Sequence, residues 1–152
     1  MTKLKDDLIL KLKNKTAKLG VVGLGYVGLP LAVEKAKAGY EVIGFDVQES
    51  KVQMVNDGIN YIGDIVDEDL KKLVDGNRLK ATTDFSFVAD VDAVSICVPT
   101  PLDKYKQPDL SYVVNSSKSV AKHMHRGLLV VLESTTYPGT TEEVLKPILE
   151  ES

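Results

Sequence analysis

Cysteine is nearly absent from this 152-residue chain, which has only Cys97. One thiol excludes an internal disulfide framework. Long apolar runs are also missing, and none approaches the roughly 18–20 residues that a membrane span requires. The N-terminus lacks the charged-then-apolar pattern of a secretory leader, so the sequence reads as cytoplasmic with no membrane partner. Excess charge of one sign is absent too: the net charge is −3 with acidic and basic residues interspersed. Such a chain has no broad positive field for nucleic acid. Metal-ligand spacing is lacking as well. His123 and His125 fall two apart on an expected helix, where side chains diverge by about 200°, so no metal is expected. There is no internal repeat and no low-complexity segment.

What is present is 43% hydrophobic residues, enough for one core in one domain. The opening segment, residues 1–16, is rich in lysine, and Leu4, Leu8 and Leu12 recur at spacing four. That pattern predicts a surface helical extension whose leucines pack on the domain while its lysines stay in water. From residue 17 to 152 the pattern alternates. Strands are expected at Ala17 to Val22, Glu41 to Phe45, Leu79 to Thr82, Ala93 to Val98 and Gly127 to Leu132. Helices are expected at Tyr26 to Ala38, Glu49 to Asn56, Asp67 to Val74, Leu110 to Met124 and from Thr140, where Glu143 three residues on suggests a capping box. Parallel neighbours need long crossovers and helices supply them, so the fold class is α/β: a Rossmann-type, doubly wound parallel sheet with helices on both faces.

The stretch LGVVGLGYVGLPLA places Gly23, Gly25 and Gly28 where an apolar run ends. Inside a regular element each glycine costs roughly 0.5–1 kcal/mol relative to alanine. Something has to offset that cost. In G-x-G-x-x-G after a strand, the first glycine makes a tight turn and the second admits a pyrophosphate close to the backbone. The third lets the helix pack on the strand, and that helix points its free N–H groups at the phosphates. Asp46 ends the second strand eighteen residues beyond Gly28, where a carboxylate accepts from the adenosine ribose hydroxyls and repels a 2′-phosphate. NAD is therefore favoured over NADP, although Lys51 nearby tempers the repulsion. Asp46 can equally cap the helix that begins near Gln48, and the two roles are compatible.

A doubly wound sheet binds its ligand at the carboxyl ends of its strands, so the residues after the fourth and fifth strands should face it too. These are VPTPL (Val98 to Leu102) and ESTTYPG (Glu133 to Gly139). Pro99 and Pro101 fix an extended backbone around Thr100 and hold it toward the crevice. Ser134, Thr135 and Thr136 supply hydroxyls, and Pro138-Gly139 suits the middle of a type II turn. Each segment alone fits an ordinary turn; together they favour cofactor contact. A non-catalytic nucleotide sensor, or a hydroxyacid or 6-phosphogluconate dehydrogenase, would share the first half of this pattern.

GLGYVGLPLA, GFDVQESK, CVPTPLDKYKQPDLSYV and ESTTYPGTTEEV together resemble the nucleotide-sugar 6-dehydrogenases, the UDP-glucose/GDP-mannose dehydrogenase family, and within it the UDP-N-acetylglucosamine branch. The resemblance implies NAD as cofactor. It assigns Gly23, Leu24, Gly25, Tyr26, Val27 and Gly28 to the pyrophosphate, and Asp46 and Lys51 to the adenosine ribose. Val98, Pro99, Thr100 and Pro101 go to the nicotinamide-side ribose, and Ser134 and Thr135 to the nicotinamide end. Thr135 would also position a water near the reacting carbon. Such enzymes oxidise the 6-alcohol of a UDP-sugar to a carboxylate with two NAD, through an aldehyde and a cysteine thioester, and a homo-oligomer is implied. Cys97 lies in the apolar run AVSICV and is expected to be buried and inert. The nucleophilic cysteine, the catalytic lysine and the substrate domain are expected downstream of Ser152, so the chain reads as the cofactor half of a larger enzyme, inactive alone.

Overall fold

The computed structural model describes residues 2–151. Five strands, β1 (Lys18–Val22), β2 (Glu41–Phe45), β3 (Leu79–Thr82), β4 (Ala93–Ile96) and β5 (Leu129–Leu132), form one sheet in the order β3-β2-β1-β4-β5. Every pairing is parallel. Beyond Lys18 and Glu41 at their starts, β1 and β2 are apolar and buried because helices cover both faces. On one face Val21 and Leu24 pack with Leu29, Ala32, Val33 and Ala36 of α2 (Gly28–Lys37), Val52 and Val55 of α3 (Glu49–Asn56) and Leu70 of α4 (Asp67–Asp75). On the other, Ile43, Phe45 and Ile96 meet Val88 of a 3-10 segment (Phe85–Asp90), Val120 of α5 (Ser111–Ala121) and Leu145. This is the doubly wound arrangement expected from the sequence. The chain runs from β1 outward to β3 and then crosses back to β4 on the far side of β1. That reversal opens a crevice at the carboxyl ends of β1 and β4.

Several boundaries move. The helix expected from Tyr26 begins at Gly28, because Gly23 turns the chain at φ +91° and residues 25–27 complete the turn. The fourth strand ends at Ile96, so Cys97 and Val98 already lie in the crevice wall. The 3-10 segment at Phe85–Asp90 was not expected; the Asp84 carboxylate accepts from Ser86 N–H at 2.9 Å and starts it. No capping box forms at Thr140. A turn closed by Thr140 N–H on Tyr137 O (3.3 Å), with Gly139 at φ +95°, already brings Thr140 into helical geometry (φ −53°, ψ −39°). Its hydroxyl donates to Tyr137 O at 2.7 Å, and a π-helical turn (Thr141–Leu145) leads into α6 (Lys146–Glu150). His123 and His125 sit beyond the end of α5 rather than on it. The imidazole Nε2 of His125 lies 2.8 Å from Val91 O, a structural tie.

The N-terminal helix α1 (Thr2–Lys13) covers the opposite, amino end of the sheet. Leu8 and Leu12 are half-buried there, while Leu4, 38% exposed, rests beside Gly127. Lys11 Nζ pairs with Asp92 at 2.6 Å, and the same carboxylate accepts from Lys18 N–H at 2.9 Å. Tyr40 donates to Leu12 O at 2.9 Å and carries Lys15 over its ring at 4.4 Å. No described helix is long and apolar enough to cross a membrane.

Candidate functional site

The three glycines are required for different reasons. Gly23 has φ +91°, and a Cβ there would stand 2.6 Å from Cys97 O. A Cβ on Gly28 would overlap the Gly23 carbonyl oxygen. Both are demanded by the protein's own packing. Gly25 is not: its φ is not positive, and a Cβ there would meet nothing within 4 Å. The open space above it is the crevice. Among the described residues no group accepts from the amides of Gly25, Tyr26 or Val27. These donors precede the positive end of α2, the arrangement that attracts phosphate.

Leu24, between the first two glycines, is held on all sides. Its side chain is fully buried and lies over Gly44 of β2, where a Cβ would come within 2.8 Å of Leu24 Cδ2. Its N–H donates to Asp46 Oδ2 at 2.8 Å, and its carbonyl accepts from Tyr61 OH at 2.7 Å. Asp46, 8% exposed at the end of β2, also accepts from Gln48 N–H at 2.9 Å through Oδ1. Asp46 thus organises the glycine turn and the entry to α3, the capping role expected beside ribose binding. A carboxylate offers about four lone-pair sites, so both oxygens retain accepting capacity toward the crevice.

At the other side of the crevice the β4 and β5 ends are latched to each other. Thr100 Oγ1 donates to Thr135 O at 2.5 Å, and Ser134 Oγ donates to Val98 O at 2.7 Å. The Thr100 hydroxyl proton, expected to face the ligand, is therefore committed to the neighbouring loop, because the two parallel strand ends bring each hydroxyl under the other's carbonyl. The loop 99–108 is pinned as well: Asp103 Oδ1 accepts from the amides of Tyr105 and Gln107, and Asp109 N–H donates to Pro101 O at 2.7 Å.

The crevice encloses about 650 Å³, within the range of about 300–1,000 Å³ of small-molecule sites. It brings together Gly23, Gly25, Tyr26, Val27, Asp46, Lys51, Val98, Pro99, Thr100, Pro101, Ser134 and Thr135. Leu24 and Gly28 do not line it; they support it from the core. Cys97 lies in its floor, but burial, reinforced by the Glu133 carboxylate and opposed by Lys35, pushes its thiol up to about 11. It is a poor nucleophile at neutral pH. Lys35 of α2 is half-buried and donates to Ser95 Oγ at 2.8 Å, and burial holds its pKa below the ordinary value. Sequence reasoning missed Tyr61, the Lys35 and Ser95 pair, and the two latches, all of which join residues far apart in the chain. No cluster able to hold a metal occurs among the described residues.

An open cradle over Gly25, unclaimed amides, a carboxylate at the second strand end and a crevice of this size fit a dinucleotide. The family model of the UDP-glucose/GDP-mannose dehydrogenase family, NAD binding domain, matches residues 17–152. The chain is 41% identical over 132 residues to a UDP-N-acetyl-D-glucosamine 6-dehydrogenase of Salmonella typhi, covering 87% of this chain and 30% of the relative. It is 38% identical over 130 residues to a UDP-N-acetyl-D-mannosamine dehydrogenase of Pyrococcus horikoshii, covering 85% and 31%. Its fold superposes with TM-score 0.84 on a crystal structure of a ternary complex of GDP-mannose dehydrogenase from Pseudomonas aeruginosa, at 34% identity, covering 88% of this chain and 32% of that one. The chain spans about 30% of the length of the curated relatives it matches. By the match over residues 17–152, it belongs to the UDP-glucose/GDP-mannose dehydrogenase family and represents that family's NAD binding domain.

Proposed function

We propose that this chain is the cofactor-binding part of a larger enzyme that oxidises the 6-alcohol of UDP-N-acetylglucosamine to a carboxylate with two NAD. The open space over Gly25 carries the reading, since nothing in the protein itself asks for a glycine there. In this assignment the amides of Gly25, Tyr26 and Val27 hold the diphosphate. Asp46 and Lys51 hold the adenosine ribose. Val98, Pro99, Thr100 and Pro101 wall the nicotinamide-side ribose, and Ser134 keeps that wall in place through Val98 O. Thr135 stands at the nicotinamide end and orients a water toward the reacting carbon. The cofactor supplies hydride acceptance, once for each oxidation step. Cys97 takes no part, and the residues that read the sugar lie outside this chain. By the same resemblance the parent protein is cytoplasmic and homo-oligomeric and serves polysaccharide biosynthesis.

The test is the full-length gene product assayed with NAD and a panel of nucleotide sugars. Two NADH per UDP-N-acetylglucosamine, with none from the 152-residue chain alone, is the expected result. Absence of NAD reduction with every UDP-sugar would refute the reading. The likeness to the Pyrococcus horikoshii relative favours UDP-N-acetylmannosamine as the second substrate to try.

A further inference from the structure

The loop between α3 and α4, residues 57–66, lies outside the glycine motif and contributes nothing to the crevice lining. It is nevertheless firmly built. Asn60 Nδ2 shares its two hydrogens among Ile62 O at 2.8 Å, Ile65 O at 2.7 Å and Asp67 Oδ1 at 2.9 Å, and Asn60 Oδ1 accepts from Ile62 N–H at 2.8 Å. What this brace presents is Tyr61, whose hydroxyl donates to Leu24 O at 2.7 Å across 37 residues.

Resting on the NAD reading above, we propose that Tyr61 is a positioning residue for the dinucleotide's diphosphate, acting through the peptide that joins Leu24 to Gly25. The Leu24 carbonyl and the Gly25 N–H belong to one planar trans unit and point in opposite directions. Holding the carbonyl toward Tyr61 therefore aims the Gly25 N–H the other way. The preceding peptide is held by the Leu24 N–H on Asp46 Oδ2 at 2.8 Å, so two consecutive units are fixed before any ligand arrives. Without the phenol, glycine at position 25 leaves this peptide free to turn over, because glycine adopts backbone angles closed to other residues. A turned peptide would present a carbonyl oxygen to the phosphates in place of a donor. Burial, with the Asp46 carboxylate adding to it, holds the Tyr61 phenol well above its usual value, so it remains protonated and donating.

The experiment is titration calorimetry of the 152-residue chain and its Tyr61→Phe variant with NAD, ADP and adenosine. Loss of one neutral hydrogen bond corresponds to about three- to tenfold. NAD and ADP should both weaken by that factor while adenosine is unchanged, a split that a merely structural role would not produce. Equal NAD and ADP affinities for both proteins overturn the role of Tyr61 and leave the NAD reading intact; no NAD binding by the unaltered chain overturns both. Should Tyr61→Phe fail to fold, crystal structures of the unaltered chain with and without NAD decide. A Leu24–Gly25 peptide in one orientation in both supports the inference, and a peptide that turns over on binding refutes it.

Discussion

Alanine at position 25 and alanine at position 28 should have opposite consequences, although both replace a glycine of one turn. At 28 the new methyl overlaps the Gly23 carbonyl oxygen and stands 3.2 Å from Cys97 Cβ. Helix and strand must separate to admit it. Overpacking of this kind costs about 3 kcal/mol or more when backbone blocks the way. For a domain of this size that lowers the unfolding temperature by roughly 6–12 °C. At 25 the methyl meets nothing within 4 Å and no positive φ opposes it. Fewer unfolded conformations then make Gly25→Ala neutral or more stable by up to about 1 kcal/mol. The methyl does, however, fill the space assigned to the diphosphate. Losing the charged hydrogen bonds there, about 1.5–3 kcal/mol, weakens NAD by roughly ten- to a hundredfold. Thermal unfolding and calorimetry with NAD on both variants are the assays. Gly25→Ala binding NAD as tightly as the unaltered chain, or Gly28→Ala melting at its temperature, would refute the division of labour among the glycines.

Three further outcomes follow from the same geometry. Asp46→Asn should weaken NAD by about 1–3 kcal/mol and narrow its preference over NADP, and an unchanged NAD-to-NADP ratio by calorimetry would leave Asp46 a purely structural ligand of Leu24 and Gln48. Burial alone would raise the Asp92 carboxyl, but the Lys11 ammonium and the Lys18 N–H outweigh it and hold its pKa below the ordinary value. A depressed folded value means that this contact stabilises fully above the unfolded value of about 4 and fades as pH falls through the folded one. Protection factors of the α1 amides, which divide out the intrinsic pH dependence of exchange, should therefore be flat from pH 5 to 8 and fall below about pH 4, and Asp92→Asn should give the lowered protection at pH 7; no change in either case contradicts the tie. With its thiol near 11, Cys97 carries about one thiolate in a thousand at pH 8. Iodoacetamide should label it readily only after unfolding, and rapid labelling of the folded chain would show the burial argument to be wrong.

The parts of this structure legible in the sequence are those written locally. Apolar runs such as GLLVVL and AVSICV announce strands, the second buried and the first at the sheet edge with Leu129 and Val131 exposed. The glycine spacing marks the first turn, and the offset to Asp46 follows from the length of one helix and one strand. The type II turn at Pro138-Gly139 was legible, but its consequence was not: by bringing Thr140 into helical geometry it removed the extended backbone that a capping hydroxyl needs. The 3-10 segment at Phe85–Asp90 is too short to show a period. The latches from Thr100 to Thr135 O and from Ser134 to Val98 O span 35 and 36 residues, and no local pattern records a side chain bonding a distant carbonyl. Sugar specificity is illegible for a different reason. Relatives named for different sugars match this domain at 41% and 38% identity, so the sequence of this domain does not separate them.

The most direct measurement is a crystal structure of the chain grown with NAD. Diphosphate oxygens within about 3 Å of the Gly25 amide and its neighbours, with the adenosine ribose on Asp46, are the expected result. A dinucleotide bound elsewhere, or a diphosphate standing clear of Gly25, would contradict the account.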